Sequence, residues 1–122
     1  MTRINCVSVE ELHRKHLVAE YRELPRVYAL ATAHHDKLES WTSVPAEYTL
    51  GAGHVKFFYT RMGFVRERHG QLIQEMFRRG YNPSLITVPG MRHLAEPWHQ
   101  YWIPTPEALA INRARIKERM PK

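Results

Sequence analysis

Leu17, Tyr21, Leu24, Tyr28 and Ala31 recur at three- and four-residue steps, the spacing that lines side chains along one face of an α-helix. A chain carrying this stripe must bury it against another element. Arg22, Glu23 and Arg26 fall largely off the stripe and form a charged face left for solvent or for function. Pro25 lies within the pattern, where it removes the hydrogen bond to the Tyr21 carbonyl and predicts a bend beside Glu23. Upstream, Ser8-Val9-Glu10-Glu11 has the spacing of a capping box, so the helix is predicted to begin near Val9 with Ser8 as N-cap and Glu11 reaching back to it.

The helical period is lost from Thr32 to Gly53, where Pro45, Gly51 and Gly53 mark a long connection. A second helix is predicted from about Thr60 to Arg79. Val65, Leu72 and Met76 form its inner face, Arg78-Arg79-Gly80 supplies terminal cations and a C-cap glycine, and Gly63 and Gly70 weaken its interior. Pro83, Pro89, Pro97 and Pro104 interrupt the stretch from Tyr81 to Ile103, which predicts irregular structure with room for short helical turns. Thr105-Pro106-Glu107 then starts a third helix to about Arg119, with Leu109, Ile116 and Met120 toward the core and Arg113, Arg115, Lys117 and Arg119 on the remaining surface. No stretch alternates convincingly in the manner of a strand, and there is no internal repeat or linker. The expected fold is all-α, a compact single domain over residues 1–122 with three main helices and long irregular connections.

With 18 Lys and Arg against 12 Asp and Glu, the formal charge of +6 favours polyanionic partners, nucleic acid first, although a merely basic soluble protein has the same composition. The single cysteine, Cys6, excludes an intramolecular disulfide, a zinc ribbon and a CxxC redox pair. Neither a signal peptide nor a membrane-crossing run is present, so a soluble, cytoplasmic protein without membrane association is expected, with a monomer as the default state.

A phosphate-binding glycine loop, a GxSxG elbow and an HExxH zinc helix are all absent. His13 and His16 on one helix, and the cluster His34-His35-Asp36, suggest a metal, but no further motif completes a set of three or four ligands. Arg22, Glu23 and Arg26 read equally as a salt-linked surface. Arg115 and Arg119, four residues apart, read equally as ordinary surface, but their helix is more cationic than its dipole requires, which favours phosphate binding. Trp98, Tyr101 and Trp102 are either base-stacking groups or core and loop anchors.

Residues Met1 to Leu30, with Thr2-Arg3-Ile4-Asn5, His16-Leu17 and the unbroken run from Ala19 to Val27, resemble the bacteriophage endonuclease V family of pyrimidine-dimer DNA glycosylases with AP-lyase activity. The likeness continues through Leu50-Gly51-Ala52-Gly53-His54-Val55, Phe57-Phe58-Tyr59 and Arg79-Gly80, and returns at Ile103-Pro104, Ala110-Ile111 and Ala114-Arg115. The resemblance implies a three-helix fold with the N-terminal segment threaded between helices and the Thr2 amine approaching Glu23. By the same resemblance Thr2 is the nucleophile, Glu23 its carboxylate partner, and Arg3, His16, Arg22, Arg26 and Arg115 match positions of catalysis or DNA contact. Arg119 keeps the charge of a basic position in the last helix. Double-stranded damaged DNA is the implied partner, and the chemistry requires neither metal nor cofactor.

An α-amine with a pKa of about 7.7–8.0 is roughly a tenth or more neutral at pH 7, far more than lysine, which makes it a ready nucleophile once Met1 has been removed. The family prototype carries an aromatic, lysine-rich tail after its third helix that has no counterpart here, so Trp98, Tyr101 and Trp102 are the candidates for a substitute stacking surface. Besides a dimer glycosylase, the residues fit an amine-nucleophile enzyme for another modified or abasic nucleotide, or a noncatalytic DNA-binding module.

Overall fold

The computed structural model describes residues 3–34, 45–84 and 86–120. Three long helices dominate: α1 over Arg14–His34, α3 over Met62–Arg78 and α4 over Pro106–Glu118, with the short α2 at His54–Phe57 and 3-10 turns at Val9–Glu11, Gly51–Gly53 and Glu96–Trp98. Among the described residues there is no strand, only an isolated antiparallel bridge between Arg61 and His99. The all-α expectation holds.

The stripe on α1 is fully realised, with Leu17, Tyr21, Leu24, Tyr28 and Ala31 all buried, and the helix continues through Pro25. Its counterpart on α3 buries Met62, Val65, Leu72, Ile73 and Met76. Each fully buried leucine removes enough apolar surface from water to contribute about 1.5–3 kcal/mol. The Tyr28 hydroxyl and His69 Nδ1, 3.1 Å apart, join the two helices in the core. Gly63, which weakens α3 as an isolated helix, is required by packing: a Cβ there would lie 2.6 Å from the His99 carbonyl oxygen of the segment crossing the helix. At the other end, Gly80 at φ +81° lets its own N–H reach the Phe77 carbonyl and that of Tyr81 reach Met76, closing α3 with the predicted glycine cap.

Several boundaries differ from expectation. Ser8 does cap a turn, accepting from the Glu10 N–H, but the turn is one round of 3-10 helix and α1 begins only at Arg14, where His13 Nδ1 accepts from the Lys15 N–H. The Glu11 carboxylate does not reach back to Ser8. It pairs instead with Arg113 on α4, accepting from Nε at 2.7 Å and Nη2 at 3.1 Å, and that charged fork outcompetes a local capping bond. The helix start at Thr105 is as read, with the hydroxyl accepting from the Ala108 N–H at 3.0 Å. Met120 is 44 % exposed rather than in the core; the fully buried positions of α4 are Ala108 and Asn112, with Leu109 and Ile116 half-buried. The connection predicted from Thr32 is shorter at both ends, because α1 runs to His34 and the Gly51–Gly53 turn leads into α2, a helix too short to announce itself by periodicity. His35 and Asp36 lie outside the described residues.

Ile4, Asn5, Cys6 and Val7 are all buried, so the chain start runs through the core between α1, α3 and α4. Threading backbone through a core leaves its polar groups without water, and each must find a partner. Asn112 Oδ1 accepts from the N–H groups of Cys6 at 2.7 Å and Val7 at 3.1 Å, while its Nδ2 donates to Asn5 Oδ1 at 2.7 Å. Asn5 then donates to Glu20 Oε1 at 2.8 Å. Arg68 grips Glu20 with Nε at 2.8 Å and Nη2 at 3.0 Å, and its remaining nitrogen donates to the Val7 carbonyl. On the opposite side, His54 Nε2 accepts from the Ile4 N–H at 2.8 Å and Tyr48 donates to the Ile4 carbonyl at 3.3 Å.

Replacing Asn112 by Ala strands two backbone donors and one side-chain acceptor in the core, and is expected to cost about 3 kcal/mol in urea unfolding; a loss below about 1 kcal/mol would show that water or a neighbour takes over these bonds. Stability should also depend on pH through His54, which burial holds at a pKa of about 4 against an ordinary 6.5. The unfolded chain gains its proton below about 6.5 and the folded chain not until about 4, so this contribution is complete above pH 6.5 and shrinks by about 3 kcal/mol as pH falls through that window. His16 and His69, also lowered by burial, act in the same direction. Denaturant unfolding at pH 7.5, 5.5 and 4.5 should show the decline, with a shallower slope for His54→Gln; parallel slopes for the two proteins would contradict it.

Candidate active site

The α1 face opposite part of the core stripe presents Lys15, His16, Ala19, Glu20 and Glu23 at steps of one helical turn, so the five side chains share one wall. Arg115, Ile116 and Arg119 at the end of α4 form a second wall, and Arg3 and Asn5 enter from the N-terminal segment. Together they enclose an open cavity of about 350 Å³. Its floor is the Asn5–Glu20 end of the buried network described above. Because α4 is held to residues 5–7 by Asn112, and α1 to the same residues by Glu20, the two walls and the chain start form one unit.

Four cations face this cavity, Arg3, Lys15, Arg115 and Arg119, against two carboxylates, and one of the carboxylates, Glu20, is already matched by the Arg68 guanidinium. The balance is positive. Burial depresses the Arg3 pKa, and the Arg115 and Arg119 charges push it further the same way. Like charges gathered in a concave site raise the affinity for an anion placed among them. Arg115 keeps one contact, donating to Glu118 at 3.1 Å, and its Nε is buried with no hydrogen bond.

His16 brings a different chemistry. Both of its ring nitrogens are buried without a hydrogen bond, and burial lowers its pKa, an effect opposed by the nearby Arg119 carbonyl and reinforced by His13 and Lys15. At neutral pH the ring is therefore uncharged, offering one donor and one acceptor to a guest. Glu23 is half-buried. Arg26 donates to it at 3.3 Å, and with side-chain exposures of 67 % and 37 % this (i, i+3) pair is of the surface kind worth under about 1 kcal/mol.

Of the residues expected at the site, Arg3, His16, Glu23, Arg115 and Arg119 line this one cavity. Arg22 and Arg26 do not line it; they are exposed on α1 beside Glu23. Thr2 lies outside the described residues. Asn5, Lys15 and Glu20 also line the cavity and escaped the sequence reading, although Lys15 and Glu20 lie at helical spacing from His16 and Glu23 and could have been found that way. Of the two readings of Trp98, Tyr101 and Trp102, base-stacking groups or core and loop anchors, the second holds for both tryptophans. Trp98 is wholly buried, and Trp102 is half-buried, stacked at 5.8 Å on Tyr48 and edge-on to Phe57, Phe58 and Phe64. Tyr101 alone of the three is widely exposed, at 69 %. Among the described residues no group of three or more His, Cys, Asp or Glu could hold a metal ion, and no helix is long and apolar enough to cross a membrane.

A cationic cavity, a neutral histidine and a carboxylate, assembled around the start of the chain, suit a reaction on a nucleotide within a polyanion. Comparison with known protein families matches residues 1–87, a span that includes Arg3, His16, Glu20, Glu23 and Arg68, to the pyrimidine dimer DNA glycosylases. The chain belongs to that family of DNA-repair glycosylases.

Proposed function

We propose that this protein excises cyclobutane pyrimidine dimers from duplex DNA and then cleaves the resulting abasic site, with the α-amine of Thr2, exposed by removal of Met1, as nucleophile. The observation that carries this reading is the convergence of Glu23, three arginines and the N-terminal segment on one cavity. About 350 Å³ is within the range of pockets that hold a small ligand, and a nucleotide swung out of the duplex would bring its sugar to such a site while flanking phosphates meet the cations.

In the first step the neutral amine attacks C1′, a nitrogen–carbon bond forms, and the glycosidic bond breaks with its electron pair leaving on the base, which takes up a proton. Glu23 stabilises the positive charge that develops on the sugar. The nitrogen gives up a proton and the C1′–O4′ bond opens, its electron pair leaving on O4′, which takes up a proton; a protonated imine at C1′ remains, with Glu23 assisting these transfers. Removal of a C2′ proton then expels the 3′ phosphate by elimination, and water releases the enzyme. Arg3, Arg115 and Arg119, with His16 as a neutral hydrogen-bonding group, hold the backbone of the damaged strand; Arg22 and Arg26, exposed outside the cavity, contact phosphates further along the duplex.

The test is borohydride trapping on duplexes carrying either a thymine dimer or an abasic site, using protein with Met1 removed. A covalent adduct is expected on both, with the rate on dimer DNA reduced by about 10²-fold or more in Glu23→Gln. Adduct on abasic DNA alone would assign the amine chemistry to another lesion, and adduct on neither would leave a DNA-binding module. Replacing Arg115 by Ala should weaken binding to damaged and undamaged duplex alike and reduce the slope of log K against log salt by about one. An unchanged slope would remove Arg115 from the phosphate contacts.

A further inference from the structure

His54 does not line the cavity, yet it bonds directly to the backbone of the chain start. Its Nδ1 lies 2.9 Å from the Thr49 carbonyl, which can only accept, so that nitrogen carries the proton. Nε2 is thereby left as an acceptor, and it faces the Ile4 N–H at 2.8 Å. The ring is 1 % exposed and is packed edge-on against Tyr48 at 5.5 Å and Phe58 at 5.7 Å. Tyr48 also donates to the Ile4 carbonyl, and the two rings thus pin both polar groups of Ile4. The segment bearing His54 is shaped for this placement: a 3-10 turn that begins with Gly51 at φ +83° delivers it as the first residue of the four-residue α2.

We propose that His54 is a positioning residue for the nucleophilic amine. The inference rests on the amine-nucleophile reading above. A residue-2 amine lies within about 8 Å of the Ile4 Cα whatever the backbone between them does, so fixing Ile4 restricts where that amine can be. The demand is real, because attack at C1′ needs the reacting atoms about 3–3.5 Å apart, and a misplacement of about 1 Å is enough to cost 10²-fold in rate. The buried ladder of Asn112, Asn5, Glu20 and Arg68 fixes residues 5–7, and the Ile4 N–H, two residues from Thr2 in the chain, is held by His54.

Two substitutions separate the halves of this arrangement. His54→Asn places an amide near Nδ1, able to donate to Thr49 while losing the acceptor for Ile4. His54→Gln places a carbonyl near Nε2, retaining that acceptor while losing the Thr49 bond. Single-turnover trapping on abasic duplex, measured with DNA affinity in parallel, should show His54→Asn slowed about tenfold or more at unchanged affinity, and His54→Gln within about threefold of wild type. Tyr48→Phe, which keeps the ring and removes only the bond to the Ile4 carbonyl, should slow trapping several-fold and serves if His54→Asn does not fold. Equal rates for wild type and His54→Asn, a His54→Gln as slow as His54→Asn, or a loss of DNA affinity matching the loss of rate would each overturn the assignment. If His54→Asn does not fold, an unaltered rate in Tyr48→Phe overturns it. Absence of adduct with wild-type protein is a separate result: it removes the amine-nucleophile reading itself, and the positioning role with it.

Discussion

The buried pair of Arg68 and Glu20 is the interaction on which the rest of the structure depends. Both side chains are almost wholly out of water, at 3 % and 1 % exposure, and two charges in that position are tolerated only when each is fully matched. Arg68 spends all its reach here, on both carboxylate oxygens and on the Val7 carbonyl; Glu20 accepts from Asn5 as well. Removing either partner of such a pair costs about 3–5 kcal/mol, because the survivor is left charged and unsolvated. The return on this arrangement is geometric rather than energetic. A hydrophobic substitute of equal volume could be as stable, but could not hold the backbone of Val7 or orient Asn5 toward Asn112.

Chain starts ordinarily fray, and the first residues of a domain stay ordered only when something ties them down. Here the tie is a continuous line of donors and acceptors that also sets the direction of each amide. Asn112 Oδ1 must face the Cys6 and Val7 N–H groups, so its Nδ2 must face Asn5 Oδ1, and Asn5 Nδ2 must face the Glu20 carboxylate. One end of the line touches α4 and the other touches α3 through Arg68. The cavity walls are therefore registered against each other by the same bonds that register the N-terminal segment between them.

The helices were legible in the sequence because apolar period and end signals agree: Leu17 to Ala31 mark one buried face, Arg79-Gly80 one end, and Thr105-Pro106 one beginning. The polar ladder was not legible. Periodicity assigns polar residues to the outside, so it points Met120 toward the core and gives no sign that Asn112, Arg68 and Glu20 are buried. Their burial follows from a long-range fact, that another stretch of backbone passes there and needs partners, which local spacing does not encode. For the same reason Glu11 looked like a capping residue until Arg113, 102 positions away, was seen to take its carboxylate. Spacing singled out Glu23, His16, Arg115 and Arg119 without bringing them to one place, and only family resemblance grouped them with Arg3 as a site; α2 was too short for any period to reveal.

Glu20 and Glu23, one helical turn apart on α1, show how environment divides two identical side chains. Glu20 accepts three hydrogen bonds, one from Asn5 and two from the Arg68 guanidinium, and these bonds are part of the clamp that holds the chain start. It is committed to structure. Glu23 lines the same cavity with its side chain 37 % exposed, and the Arg26 side chain that pairs with it is mostly in solvent. Of the two carboxylates in the cavity, Glu20 is therefore taken up by the clamp, which is consistent with assigning the proposed chemistry to Glu23, and Arg3, Arg115 and Arg119 on the facing walls supply the positive charge that a polyanionic guest requires.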